Sequence, residues 1–360
     1  MNDQRIIERL NRCVNKIQDQ DIRIMEICGT HTQAVSESGI RYLLPCNVHL
    51  LSGPGCPVCV TSEFFIDNAI ELLKMEDIIL VSFGDMTKVK GTKENLAEEQ
   101  SQGTKTTVVY SPEDVLSIAG KNKDKSVVFA AVGFETTAPL IAATVKQACT
   151  RGFDNLFFLT ALKCMDPAIR FILRDKRNKI DAMICPGHVA SVMGADYFRF
   201  ITEEFGVPAA VSGFEPADIS AGICLLLEQL ARKRPVEFVN LYKRCVSPAG
   251  NTLAQHMLNE VFDAVDGVWR GIGKIKQSAL VLNDNYAHLD AAKRFGLKAE
   301  QHPSPVSCIC SDILLGIKLP EQCSFFGSVC TPDHPSGPCM VSREGSCAVH
   351  YRFGRNEANG

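Results

Sequence analysis

The sequence predicts an α/β protein with two small parallel-sheet domains facing a cleft, followed by a third, mixed domain with a cysteine-rich segment. Three observations predict it. Eight short apolar runs alternate with amphipathic stretches, the pattern of parallel strands covered on both faces by helices. The pattern restarts after about residue 120. Six cysteines then crowd between Cys308 and Cys347 among prolines and glycines. A length of 360 residues accommodates two or three domains, and 46% hydrophobic with 22% charged residues is ordinary globular composition.

The elements follow in order. Residues 1–21 read as an N-terminal helix expected to pack on the third domain. The stretch MNDQRIIERLNRC has no apolar core and is no secretory signal. No later run approaches the ~20 apolar residues of a membrane span, so the expected location is the cytoplasm. The first α/β domain, 22–120, has strand candidates IRIMEIC (22–28), NVHLLSG (47–53), DIILVSF (77–83) and TTVVY (106–110). Between them, EFFIDNAIELLKM places Phe65, Ile66, Ala69, Ile70 and Leu73 on one helical face. The second, 121–235, has SVVFAAVG (126–133), NLFFLTA (155–161), DAMICPG (181–187) and PAAVSG (208–213). The echo of GFET (133–136) in GFEP (213–216) is too weak to establish a duplication. In the third domain, 236–360, EFVNLYKRCV and LAQHMLNEVF have helical patterns, and AVDGVWRGIGKI reads as irregular or strand-like.

Ligands of parallel sheets meet the loops beyond the carboxyl ends of the strands. Those loops carry ICGTHT, SGPGCPVC, SFGDM, VGFETTAP, CPGHVAS and SGFEPAD. A net charge of -3, from 38 basic and 41 acidic residues, argues against a general nucleic-acid surface. The local basic group Arg170, Arg174, Lys176 and Arg177 reads as a solvated helix end. Phosphate-loop, HExxH and GxGxxG patterns are absent, as are GxSxG and thioester signatures.

The remaining chemistry is that of sixteen cysteines, which in a reducing compartment do not form eight structural disulfides. Cys149, Cys224 and Cys245 lie in helical patterns far from other cysteines and read as packing residues; Cys185 reads as a buried strand end. Cys308, Cys323, Cys330 and Cys347 have spacings of fourteen, six and sixteen residues, with Cys310 and Cys339 inside the span. Thiolate sets favour an iron–sulfur cluster or zinc over hard cations, and neither paired zinc knuckles nor the compact ferredoxin run fits these spacings. Cys56 and Cys59 of CPVC precede a helix whose dipole favours thiolate. They read as a redox pair, a shared metal site or a tight bend. Cys28, with His31 three residues on, ends the first strand, where three thiols could converge. Asp85, Glu135, His188 and Glu215 are candidate second-shell partners that orient groups or relay protons.

CGTHT at 28–32, LLSGPGCPVCVT at 50–61, GFETTAP at 133–139, PGHV at 186–189, GFEP at 213–216, GPCMVS at 337–342 and the C-terminal cysteine spacing together resemble the HypD family. That family matures nickel–iron hydrogenases, and the resemblance covers nearly the whole chain. It implies a [4Fe–4S] cluster held by Cys308, Cys323, Cys330 and Cys347. It also implies that Cys28, Cys56 and Cys59 act in the cleft, with His31 as a second-shell or proton-transfer group. Its implied partners are a HypC-type small chaperone, with which iron transiently bound at Cys28 receives cyanide and carbon monoxide, and HypE and HypF, which deliver the cyanide. Cys56 and Cys59 would then supply electrons, or ligate iron reversibly. The match departs from the family pattern in SFGDMTKVKG, in GIGKIKQSAL and in Ser311-Asp312 after Cys310. These departures bear on loop shape and partner affinity. Two rival readings are a stand-alone thiol–disulfide oxidoreductase with a cluster relay, and a zinc-stabilised scaffold without redox chemistry.

Overall fold

The computed structural model describes residues 8, 10, 12, 20–100, 106–232, 236–298 and 308–354. All eight anticipated strands form: β1 (Ile22–Glu26), β2 (Val48–Ser52), β3 (Ile78–Phe83), β4 (Thr106–Val109), β5 (Ser126–Gly133), β6 (Leu156–Lys163), β7 (Ala182–Pro186) and β8 (Ala209–Ser212). Three more follow, β9 (Phe238–Asn240), β10 (Phe262–Trp269) and β11 (Gly273–Leu282). The helix Glu63–Leu73 starts at Ser62, whose hydroxyl accepts the Phe65 amide, and buries all five residues of its expected apolar face.

The chain divides into two compact units, and neither is a contiguous half. The first comprises residues 1–56, 169–251 and 308–360; the second comprises 57–168 and 252–307. The first unit holds a parallel sheet of order β2-β1-β7-β8-β9. One of its core clusters packs Ile24, Leu50 and Ile184 against Ile219, Ile223 and Leu227 of the helix Pro216–Arg232, with Leu10 joining it. The second unit holds a mixed sheet of order β10-β11-β6-β5-β3-β4, in which β3 to β6 are parallel and the β10–β11 hairpin is antiparallel.

This replaces the grouping 22–120, 121–235 and 236–360. A strand buried on both faces shows in its sequence that it is covered, but not which strand lies beside it. Consecutive strands are often neighbours; here β7 instead pairs with β1 across more than 150 residues of chain. Residues 236–251 extend the first sheet, 252–298 extend the second, and 308–354 belong with the first, so the described residues form no third unit. The expected packing of an N-terminal helix at 1–21 lies mostly outside the described residues. EFVNLYKRCV, expected to be helical, contains the short strand β9 and a turn. AVDGVWRGIGKI forms the hairpin.

Within each sheet the first four strands, ranked by chain order, lie in the sequence 2-1-3-4. GFET follows the third strand of its sheet and GFEP the fourth, so the two motifs occupy non-equivalent positions. No helix among the described residues is long and apolar enough to cross a membrane.

Candidate functional site

In the first sheet the chain leaves β1 toward β2 on one side, while β7 lies on the other. Loops that part in opposite directions open a crevice at the strands' carboxyl ends. The residues at this switch point are Ile27, Cys28 and Gly29 after β1, and Gly187 and His188 after β7. The Ile27 amide still donates to the Ile184 carbonyl (3.1 Å), so Cys28 is the first residue beyond the last rung.

The loop after β2 lies directly against this residue. The Gly29 amide donates to the Gly55 carbonyl (3.3 Å), and the Gly53 amide to the Glu26 carbonyl (2.8 Å). A methyl group on Gly55 would strike the Ile27 carbonyl oxygen and lie 2.5 Å from the Cys28 Cα. Glycine is therefore required for the backbones of Cys28 and Cys56 to approach this closely. Both cysteines are buried, 8% and 4% exposed. Cys59, fully buried, lies on the helix Pro57–Val60 of the second unit.

Cys28 stands immediately before the helix Gly29–Glu37. Burial pushes its thiol pKa up, the Thr30 and His31 hydrogen bonds oppose this, and the Glu344 carboxylate adds to the rise. His31 Nε2 donates to the Gly213 carbonyl (2.9 Å), leaving buried Nδ1 without a partner. Desolvation lowers the His31 pKa to about 4, so the ring is neutral at pH 7. The Phe214 ring stacks on both His31 (4.5 Å) and His188 (4.0 Å). Desolvation also lowers the His188 pKa, and Glu344 acts against that shift.

Glu344 and Phe214 carry no motif signal of their own. Thr30 Oγ1 donates to Glu344 Oε1 (2.8 Å), and a methyl group on Gly29 would lie 2.8 Å from Glu344 Cβ. Glu344 lies between Cys339 and Cys347, within a segment noticed only for its cysteines. Phe214 lies inside GFEP, where only the carboxylate drew attention.

Three further candidates have surroundings of their own. Glu215 is exposed and lies 3.8 Å from Arg244. Asp85 is exposed after β3, and Glu135 is buried after β5, where it accepts the Met165 amide (2.6 Å); both belong to the second unit. A carboxylate bound to the first amide of a helix acts as a cap. Cys185 and Cys224 are fully buried, as expected, but Cys149 and Cys245 are exposed and are not core residues.

The C-terminal cysteines line one cavity of the first unit. Cys308, Cys323, Cys330, Cys339 and Cys347 form it with Phe326, Gly337 and Met340. A methyl group on Gly337 would lie 2.9 Å from Cys308 Sγ, and Cys330 Sγ accepts the Ser336 amide (3.3 Å). Hydrogen bonding to Cys310 followed by burial raises the Cys308 pKa; burial followed by neighbouring thiols raises that of Cys347. Thiolates crowded in an apolar-walled pocket repel one another, so they ionise when a cationic group enters. Soft donors, apolar walls, an N–H···S bond and room kept by glycine fit an iron–sulfur cluster. Among the described residues no three Cys, His, Asp or Glu side chains gather closely enough to hold a single metal ion. The helix beginning at Ser346 packs against the helix that follows Cys28.

The fold and candidate site define an α/β protein that places thiols at the carboxyl ends of its first sheet's strands. A family model named HypD, described as "Hydrogenase formation hypA family", matches residues 2–354, and the chain belongs to this family. It is 39% identical over 342 residues to hydrogenase maturation factor HypD of Escherichia coli, covering 94% of this chain and 91% of that one. It is 42% identical over 340 residues to the factor of the same name from Rhizobium leguminosarum bv. viciae, covering 92% and 88%. With that of Cupriavidus necator it shares 39% identity over 344 residues, covering 93% and 90%.

Proposed function

We propose that the chain is a scaffold and redox component of nickel–iron hydrogenase maturation. With a HypC-type small chaperone it holds an iron atom as cargo while two cyanides and one carbon monoxide are attached, HypE and HypF delivering the cyanides. Cys28 supplies this chain's thiolate to the iron. His31, neutral and buried, offers Nδ1 as an unfilled hydrogen-bond acceptor, and Phe214 stacks on its ring. Glu344 holds Thr30 and disfavours the Cys28 thiolate until a cation arrives. Cys56 and Cys59 work as a dithiol: closing their disulfide would release two electrons and two protons, which cleave the bond between an incoming cyanide and its carrier. Cys308, Cys323, Cys330 and Cys347 would hold a [4Fe–4S] cluster, which supplies one-electron chemistry when bound.

The observation that carries this reading is the contact between the Cys28 and Cys56 loops at the switch point of a sheet whose unit also contains the cysteine-lined cavity. Anaerobic co-purification with the small chaperone, followed by iron and sulfide analysis, tests it. Cys28→Ala should lose the iron that exceeds the sulfide-matched cluster and keep the cluster. Loss of both, or of neither, would refute the division into two sites.

A further inference from the structure

Cys59 sits on a helix of only four residues, Pro57–Val60. One turn does not hold itself in water, so its position depends on what grips its end. The Pro57 carbonyl accepts the Thr61 amide (3.1 Å) and hydroxyl (2.8 Å). The Val60 carbonyl accepts the amide of Arg270 (2.9 Å), a residue of the turn between β10 and β11. The Arg270 side chain then reaches two further segments. Its Nε lies 3.0 Å from Glu63 Oε1, and its Nη1 donates to the Lys90 carbonyl (2.7 Å). Arg270 and Glu63 are each 4% exposed.

We infer that Arg270 is a positioning residue for the Cys59 thiol, fixing the four residues from Val60 to Glu63 at one end by its backbone and at the other by its guanidinium. The hairpin that presents it is itself anchored. Trp269 is fully buried, donates Nε1–H to Ser278 Oγ (2.8 Å) and stacks on Phe134. The contact to GDMTKVKG is made through the main-chain carbonyl of Lys90, which a residue of any type supplies. A buried arginine with a planar fork suits this task better than lysine, because it engages a carboxylate and a carbonyl at once.

The inference rests on the proposed dithiol role of Cys56 and Cys59 only for its functional meaning. Arg270→Met alone leaves the Glu63 carboxylate buried and unpaired, which can unfold the chain. The decisive protein is therefore Arg270→Met combined with Glu63→Gln, beside the single variant. The full-length reduced chain is treated with iodoacetamide, and modification of Cys59 and Cys164, both in the second unit, is followed by mass spectrometry. Losing two anchoring bonds should speed Cys59 modification roughly tenfold or more and leave Cys164 unchanged. The equilibrium of the Cys56–Cys59 pair with glutathione should move by a similar factor. Cys59 protected as in wild type in the folded double variant would overturn the inference, as would Cys59 and Cys164 accelerating together. If the wild-type pair forms no disulfide with glutathione, the redox reading fails, while the alkylation ratio still decides the role of Arg270.

Discussion

Replacing Gly55 with alanine probes the contact on which the site depends. The added methyl group would meet main-chain atoms of Ile27 and Cys28, none of which a rotamer change can move. Overpacking of this kind costs about 1–3 kcal/mol. Separating the loops also weakens the hydrogen bond from Gly29 to Gly55, worth ~1 kcal/mol. The expected loss is about 2–4 kcal/mol, a fall of roughly 5–15 °C in the unfolding temperature of a unit this size. Scanning calorimetry reads it, with Gly222→Ala in the same unit as the control. A methyl group at Gly222 meets only Ser212 Oγ at 3.5 Å and Cβ at 3.6 Å. Alanine inside the helix Pro216–Arg232 should be neutral or gain up to ~1 kcal/mol. Cys28 should also become more reactive toward iodoacetamide in Gly55→Ala. Two variants unfolding within about a degree of each other, with Cys28 equally protected in both, would refute the close-approach argument.

Three other outcomes are expected. His31 has a folded pKa lowered from 6.5 to about 4, so between these values the unfolded chain binds more protons. Its contribution is complete above pH 6.5 and is lost as pH falls to 4, about 3 kcal/mol in all. Burial raises the Glu26 pKa and acts with the opposite sign, so the difference between wild type and His31→Gln in urea unfolding isolates the histidine; parallel pH curves would contradict its burial as a neutral ring. Gly337→Ala should reduce bound iron and sulfide without removing a thiol, because its methyl group would crowd Cys308 Sγ; full cluster content would show that the cavity is not where a cluster binds. Glu344→Gln keeps an acceptor for Thr30 but removes a negative charge facing Cys28. The pH profile of Cys28 alkylation should therefore shift toward lower pH, and an unchanged profile would remove Glu344 from the site.

The strands were legible because each is a short apolar run bounded by turn residues, from IRIME to AAVS. Their grouping was not, since β1 beside β7 and β3 beside β5 depend on crossovers that leave no local mark. β9 was misread because a strand of three residues is too short to outweigh the helix-like spacing of the apolar residues around it. Cys28 and the C-terminal thiols stood out by residue type and spacing. Phe214 and Glu344 did not, because a stacking plate and a remote carboxylate acquire meaning only from what the fold places against them. Glu135 shows the reverse: a conspicuous carboxylate in GFETTAP that accepts a helix amide.

The most direct test of the central claim is an infrared spectrum of the anaerobic complex with the small chaperone, isolated from cells that contain the other maturation proteins. Cyanide and carbon monoxide stretches should be present and should vanish in Cys28→Ala while the cluster remains. A silent stretch region in the wild-type complex with a loaded cluster, or bands that survive Cys28→Ala, would contradict that claim.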